Sequence, residues 1–166
     1  MFELKRLSPQ AIPMALERAD RYRLLNEPAE AESICHDILA VEPDNQKALI
    51  TLILAITDQF GHEGIRVDDA RGSDLLPRLQ DEYTRYYYAG VMAERRAHSG
   101  LTHRMRGTVA YELLREAMGW YEKAETLRPA GNDEAILRWN TCARMLNRNS
   151  SLRPSEPGDS SDPYLE

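Results

Sequence analysis

The sequence predicts an all-α fold, about six antiparallel helices stacked as helical hairpins into a short α-solenoid, and three observations carry that prediction. Apolar residues recur at three- and four-residue intervals through most of the chain, the period of a helix with one buried stripe. Prolines and Asn or Asp residues close these runs at regular points. One helix ending is also written twice: EAESICHDILAVEPDN from Glu30 returns as EAMGWYEKAETLRPAGND from Glu116.

The elements follow in order. Ser8-Pro9 offers a capping hydroxyl and a first-turn proline, and Pro13 places a second proline inside the same start, so regular helix is expected from there. Over residues 13–25, Leu16, Ala19, Tyr22 and Leu25 draw one apolar stripe, and Asn26-Glu27-Pro28 breaks it. A second helix, about 29–41, sets Ala31, Ile34, Cys35, Ile38 and Val41 on one face. Pro43-Asp44-Asn45 ends it and caps the next.

The third helix, about 46–60, reads QKALITLILAITDQF and is apolar over most of its circumference, which predicts neighbours on several sides. GHEGIRVDDARGSDLLP follows with the composition of a loop. In the fourth helix Leu76, Leu79, Tyr83, Tyr87 and Gly90 step at helical spacing through YTRYYYAGVMAERRA, and SGLTHRMRG interrupts it. A fifth helix, about 108–127, aligns Leu113, Ala117, Tyr121 and Ala124. A sixth, about 133–146, carries Ile136, Trp139, Ala143 and Leu146.

Composition bounds the class. A chain of 166 residues, 42% hydrophobic and 29% charged, suits one soluble domain, expected over 1–147. Residues 148–166 are Ser- and Pro-rich and bury too little apolar surface to order, which predicts a disordered acidic tail. Neither a signal-peptide core nor a run of about 18 uncharged apolar residues occurs, so no membrane contact and a cytoplasmic location are expected. Cys35 and Cys142 are isolated on apolar faces and read as small buried hydrophobes. The net charge of -6 argues against general nucleic-acid affinity.

The two quoted stretches superimpose without a gap: Glu30 on Glu116, Ala31 on Ala117, Cys35 on Tyr121, Ile38 on Ala124 and Pro43 on Pro129. This pattern of small, bulky, apolar and closing proline resembles the second helix of the tetratricopeptide repeat (TPR). The first unit is similar across both helices through Ala19, Tyr22, Ala31, Cys35, Ile38 and Pro43, and departs from the family at Ala15 and Arg18. The 86-residue offset exceeds two repeat periods, so the middle holds inserted residues, for which the two loop-like stretches are the natural places.

The resemblance implies a scaffold or adaptor that binds an extended or helical peptide of a partner protein, without catalysis or cofactor. It implies a groove lined by the first helix of each hairpin, with Asp20, Arg23, Lys47, Ile50, Leu54, Asn140 and Arg144 as candidates. Leu16 and Asp20 stand where the family's lysine and asparagine hold a terminal carboxylate, so that mode of binding is not expected here.

Three further features bear on partners. In the run Tyr83, Tyr86, Tyr87, Tyr88 a helix turns Tyr83 and Tyr87 inward and leaves Tyr86 or Tyr88 partly exposed, either half-buried or as an interface anchor. Arg95, Arg96, Arg104 and Arg106 form an acid-free patch that suits an acidic peptide, a phosphate or RNA, or serves as a solvated helix end. The acidic tail, ending in Asp162, Tyr164, Leu165 and Glu166, is a possible internal ligand for that patch. Two alternatives remain: a metal-dependent or catalytic use of the loop 62–74, with His62, Glu63, Asp68, Asp69 and Asp74, and a structural homo-oligomer covering the end faces of incomplete repeats.

Overall fold

Prolines and asparagines set the boundaries of the first hairpin. In the computed structural model, which describes residues 2–61, 69–103 and 105–154, Pro9–Ala11 form a 3-10 turn that leads into α1 (Ile12–Leu24). Ser8 is extended and its side chain caps nothing. Asn26, at φ 60, closes α1: its N–H donates to the Arg23 carbonyl at 3.0 Å and the Glu27 N–H to that of Tyr22 at 2.9 Å. Those two bonds satisfy carbonyls that a helix end otherwise leaves open. Pro28 opens α2 (Pro28–Leu39), where a missing N–H costs least.

Asn45 caps α3 (Gln46–Asp58) as its position predicts, its side chain accepting from the Ala48 N–H at 2.9 Å. A short α4 (Asp69–Ser73) and a 3-10 turn at Leu76–Arg78 follow. Asp81 caps α5 (Glu82–Thr102), and α6 (Gly107–Leu127) and α7 (Glu134–Arg148) complete seven α-helices with no strand among the described residues. No helix there is long and apolar enough to cross a membrane.

The helices stack as antiparallel pairs. Helix α2 lies between α1 and α3, α6 lies between α5 and α7, and α3 packs on α5 to join the two halves. The repeated residues occupy matching interior positions: Ala31, Cys35 and Ile38 on α2, and Ala117, Tyr121 and Ala124 on α6, are all fully buried. The apolar girth of α3 has the expected result, since Leu49, Leu52, Ile53, Ala55 and Ile56 are all interior.

Among the described residues between α3 and α5 there is no second long helix. Leu75 and Leu79 are buried beside Leu52, Ile53 and Ala55 and fill that side of α3. Gln46 holds the segment there: its Oε1 accepts from the Gln80 N–H at 2.8 Å, and its Nε2 donates to the Asp44 carbonyl at 2.9 Å. Leu76 and Leu79 therefore belong to the turn before α5 and not to its helical stripe.

The stretch from Ser99 is also helical, against the expected interruption. Helix α5 continues to Thr102 because Met105 folds over Gly100 and covers the bare backbone there. The α5–α6 hairpin thus has 21 residues on each side. The described residues continue past 147. Helix α7 runs to Arg148, the chain turns back, and Leu152 is buried with the Ser151 carbonyl lying against Gly107. Residues 155–166, the greater part of the expected tail and its suggested docking on the arginines, lie outside the described residues.

Candidate functional site: the cleft between α1 and α3

Helices α1 and α3 run in the same direction with α2 behind them, so side chains three and four apart on each share the cleft between the two helices. Two bonds fix their spacing. The Thr51 hydroxyl donates to Asp20 Oδ1 at 3.0 Å, and Arg23 Nε donates to Asp58 Oδ2 at 2.7 Å. Between these helices lies a cleft of ≈ 590 Å³. That volume falls in the range of about 300–1,000 Å³ typical of ligand pockets.

The cleft has an apolar floor and a charged rim. Leu16, Ile50 and Leu54 line it with Ile12 and the rings of Pro9 and Pro13, while Glu17, Asp20 and Glu42 oppose a single cation, Lys47. Four of the groove candidates read from the sequence, Asp20, Lys47, Ile50 and Leu54, therefore share one surface. Arg23 stands one helical turn beyond Asp20, engaged with Asp58.

Asp58 also receives Arg95 from α5. Arg95 Nη1 lies 2.6 Å from Asp58 Oδ1, 2.5 Å from Thr57 Oγ1 and 3.1 Å from the Leu54 carbonyl. Burial lowers the pKa of this guanidinium, the neighbouring Arg23 and Arg138 add to that, and the Asp58 charge opposes them. It stays protonated, because guanidinium begins far above neutral pH. One carboxylate thus ties α1, α3 and α5 together.

No family model matches the chain, and no curated protein or solved structure matches it either. The chemistry of the cleft therefore rests on its own residues.

The remaining candidates lie elsewhere. Asn140 is half-buried and Arg144 exposed on α7, and neither lines the cleft. Tyr86 sits on the α5–α6 seam, its ring stacked on Trp120 at 5.8 Å, with Lys123 Nζ 4.2 Å from the Trp120 ring centre. Tyr83 and Tyr87, read as core, are half-buried, as are Tyr86 and Tyr88. The arginine run is dispersed: Arg95 is turned into the α3–α5 seam, Arg96 is half-buried, Arg106 is exposed at the start of α6, and Arg104 lies outside the described residues.

For the acidic loop, Asp74 is exposed, and His62, Glu63 and Asp68 lie outside the described residues. Among the described residues no group of three His, Cys, Asp or Glu side chains converges on a metal-sized space. A second cavity of ≈ 390 Å³ is bounded by Met14, Glu17, Arg18, Arg21, Tyr22 and Leu25. All of these come from α1 and its C-cap, so it is one helix's own surface relief and not a groove between elements.

Sequence reasoning passed over Glu42, Thr51 and Asp58. The signal for Thr51 and Asp58 was present, since both lie on the Lys47, Ile50, Leu54 face of a helix otherwise nearly free of polar residues. Glu42 reaches the cleft from the α2–α3 turn, a placement that only the hairpin geometry supplies.

Proposed function

We propose that this chain is a non-catalytic protein-binding module, a TPR-like adaptor or scaffold whose α1–α3 cleft receives an extended segment of a partner protein. The carrying observation is the convergence of Asp20, Lys47, Ile50 and Leu54 on one cleft between α1 and α3. An apolar floor supplies affinity by burying side chains of the segment, and the charged rim selects among sequences. The fixed spacing of α1 and α3 through Thr51 and Asp58 keeps the cleft open before binding, which lowers the entropy lost on association.

The test is selection of a displayed random-peptide library on the intact protein, in parallel with Lys47→Glu and Ile50→Asp variants whose helicity is verified by circular dichroism. Enrichment of one apolar and charged pattern on the parent, lost on both variants, supports the reading. No enrichment, or the same peptides on all three proteins, overturns it.

A further inference from the structure

The arm that precedes α1 has the chemistry this cleft lacks. Residues 2–8 form no helix; Leu7 packs against the cluster of Ile12, Ile38 and Ala48, but Phe2 is 100% and Leu4 91% exposed. In an extended arm residues two apart share a side, so Phe2 and Leu4 present a paired apolar edge, with Lys5 and Arg6 next to them. The cleft offers Leu16, Ile50 and Leu54 beneath three acids, Glu17, Asp20 and Glu42, and one cation. Apolar edge meets apolar floor, and an arm of net charge +1, Lys5 and Arg6 against Glu3, meets a rim of net charge -2, Glu17, Asp20 and Glu42 against Lys47.

We infer that the α1–α3 cleft holds the 2–8 arm of a second copy of this chain, each copy giving its arm to the other in a two-fold dimer. The inference rests on the reading of the cleft as a peptide site and names its occupant. Exchange of one segment between identical chains is a low-cost route to a closed dimer. A copy's own arm is poorly placed to enter its own cleft, because it would have to reverse at Ser8-Pro9. There Ser8 is extended, its carbonyl accepts from the Ala11 N–H at 3.0 Å, and Pro9 is fixed in the 3-10 turn. Two short arms bury little area, so the dimer belongs with weak, concentration-dependent interfaces.

Analytical ultracentrifugation of the full chain over a hundredfold concentration range tests it. The mean mass rises toward two chains for the parent, and stays at one for Phe2→Ser, Leu4→Ser, which alters only exposed side chains. A charge exchange makes the contact specific: arm-reversed Lys5→Glu, Arg6→Glu and cleft-reversed Glu17→Lys, Glu42→Lys proteins each remain single, and associate when mixed.

A parent that stays at one chain throughout overturns the inference, as does a dimer indifferent to both pairs of changes. A single chain whose Leu4→Cys thiol reacts with a maleimide at the same rate in the parent and the cleft-reversed background shows a free arm and overturns it too. If library peptides bind the cleft while the chain stays single, the arm assignment fails and the peptide-site reading stands. If neither peptides nor arms bind, both fail.

Discussion

Gly90 of α5 lies flat against the ring of Tyr121 on α6, so closely that a β-carbon at Gly90 would meet Tyr121 Cε1 at 2.5 Å. Tyr121 is fully buried and has nowhere to move. Gly90→Ala is therefore expected to lose stability by about 1–3 kcal/mol through overpacking, although alanine favours helix by up to about 1 kcal/mol. Gly119, on α6 with nothing within 4 Å of its added carbon, is the control: Gly119→Ala gains about 0.5–1 kcal/mol. Urea midpoints of the two variants should move in opposite directions from the parent.

The same tyrosine donates a 2.6 Å hydrogen bond to Glu94 Oε2, and Arg138 Nη1 from α7 reaches Glu94 Oε1 at 3.2 Å. Glu94 is 2% exposed, so these two partners stand in for the water its oxygens lose on burial. Burial raises the Tyr121 pKa, and the Glu94 charge raises it further, so the hydroxyl keeps the proton it donates. Tyr121→Phe is expected to cost about 1–3 kcal/mol. Arg138→Met leaves a buried carboxylate unpaired and costs more, toward the lower end of about 3–5 kcal/mol because Arg138 is itself partly exposed. Denaturation of both single variants and the double variant should show less than additive loss.

Acid should loosen α4 only once Glu32 takes up its proton. Glu32 on α2 accepts from Gln59 at 2.6 Å and pairs with Arg71 of α4. Burial pushes its pKa up, but the Gln59 bond and the Arg71 charge outweigh it and hold the carboxyl below its ordinary value. A carboxylate with a lowered folded pKa contributes stability that is complete above its unfolded pKa of about 4.3 and is lost as pH falls through the folded value. Arg71→Gln removes part of that lowering, so the fall in stability should begin at the same pH as in the parent, near the unfolded pKa, and be smaller. The loss at pH 7 should be only about 0–1 kcal/mol, since Arg71 is largely exposed. Urea midpoints measured from pH 7 to pH 3 decide both points.

Both thiols should be silent until the chain opens. Burial pushes Cys35 and Cys142 up to about 12, and each is almost without solvent contact. Reaction with iodoacetamide at pH 8 is expected to follow opening of the helices and not thiol chemistry. Mass spectrometry of partly labelled samples gives the opening rate of each half, and rapid native-state labelling at either cysteine would contradict its burial.

Local periodicity made the helices legible, and longer-range contacts account for what it missed. Ala31, Cys35 and Ile38 are spaced for one face and all three are interior. Asn45 was readable as a cap because its carbonyl lies three residues before the N–H it must accept. Ser99 and Gly100 looked like a break because the covering methionine, Met105, lies beyond the helix. Arg95 looked like a surface cation because Asp58, its partner 37 residues earlier, is visible only once α3 and α5 meet. The cleft was half legible: of the candidates drawn from the family resemblance, Asp20, Lys47, Ile50 and Leu54 line it, whereas Asn140 and Arg144 on α7 do not, and Tyr86, singled out from the tyrosine run, sits on the α5–α6 seam.

The return of Leu152 onto Gly107 has a consequence for the order in which the two halves mature on the ribosome. The interior of the first half runs from Ala19 to Met92, so it can close once the middle of α5 has emerged. The second half has Leu152 among its interior residues, beside Ala110, Leu114 and Cys142, and stays incomplete until that residue has emerged. Folding during synthesis then proceeds from α1 onward, with the early half as a finished surface for the late one. A stalled chain ending before residue 152 would present α3 correctly while α5 and α6 still exposed part of their apolar faces to chaperones.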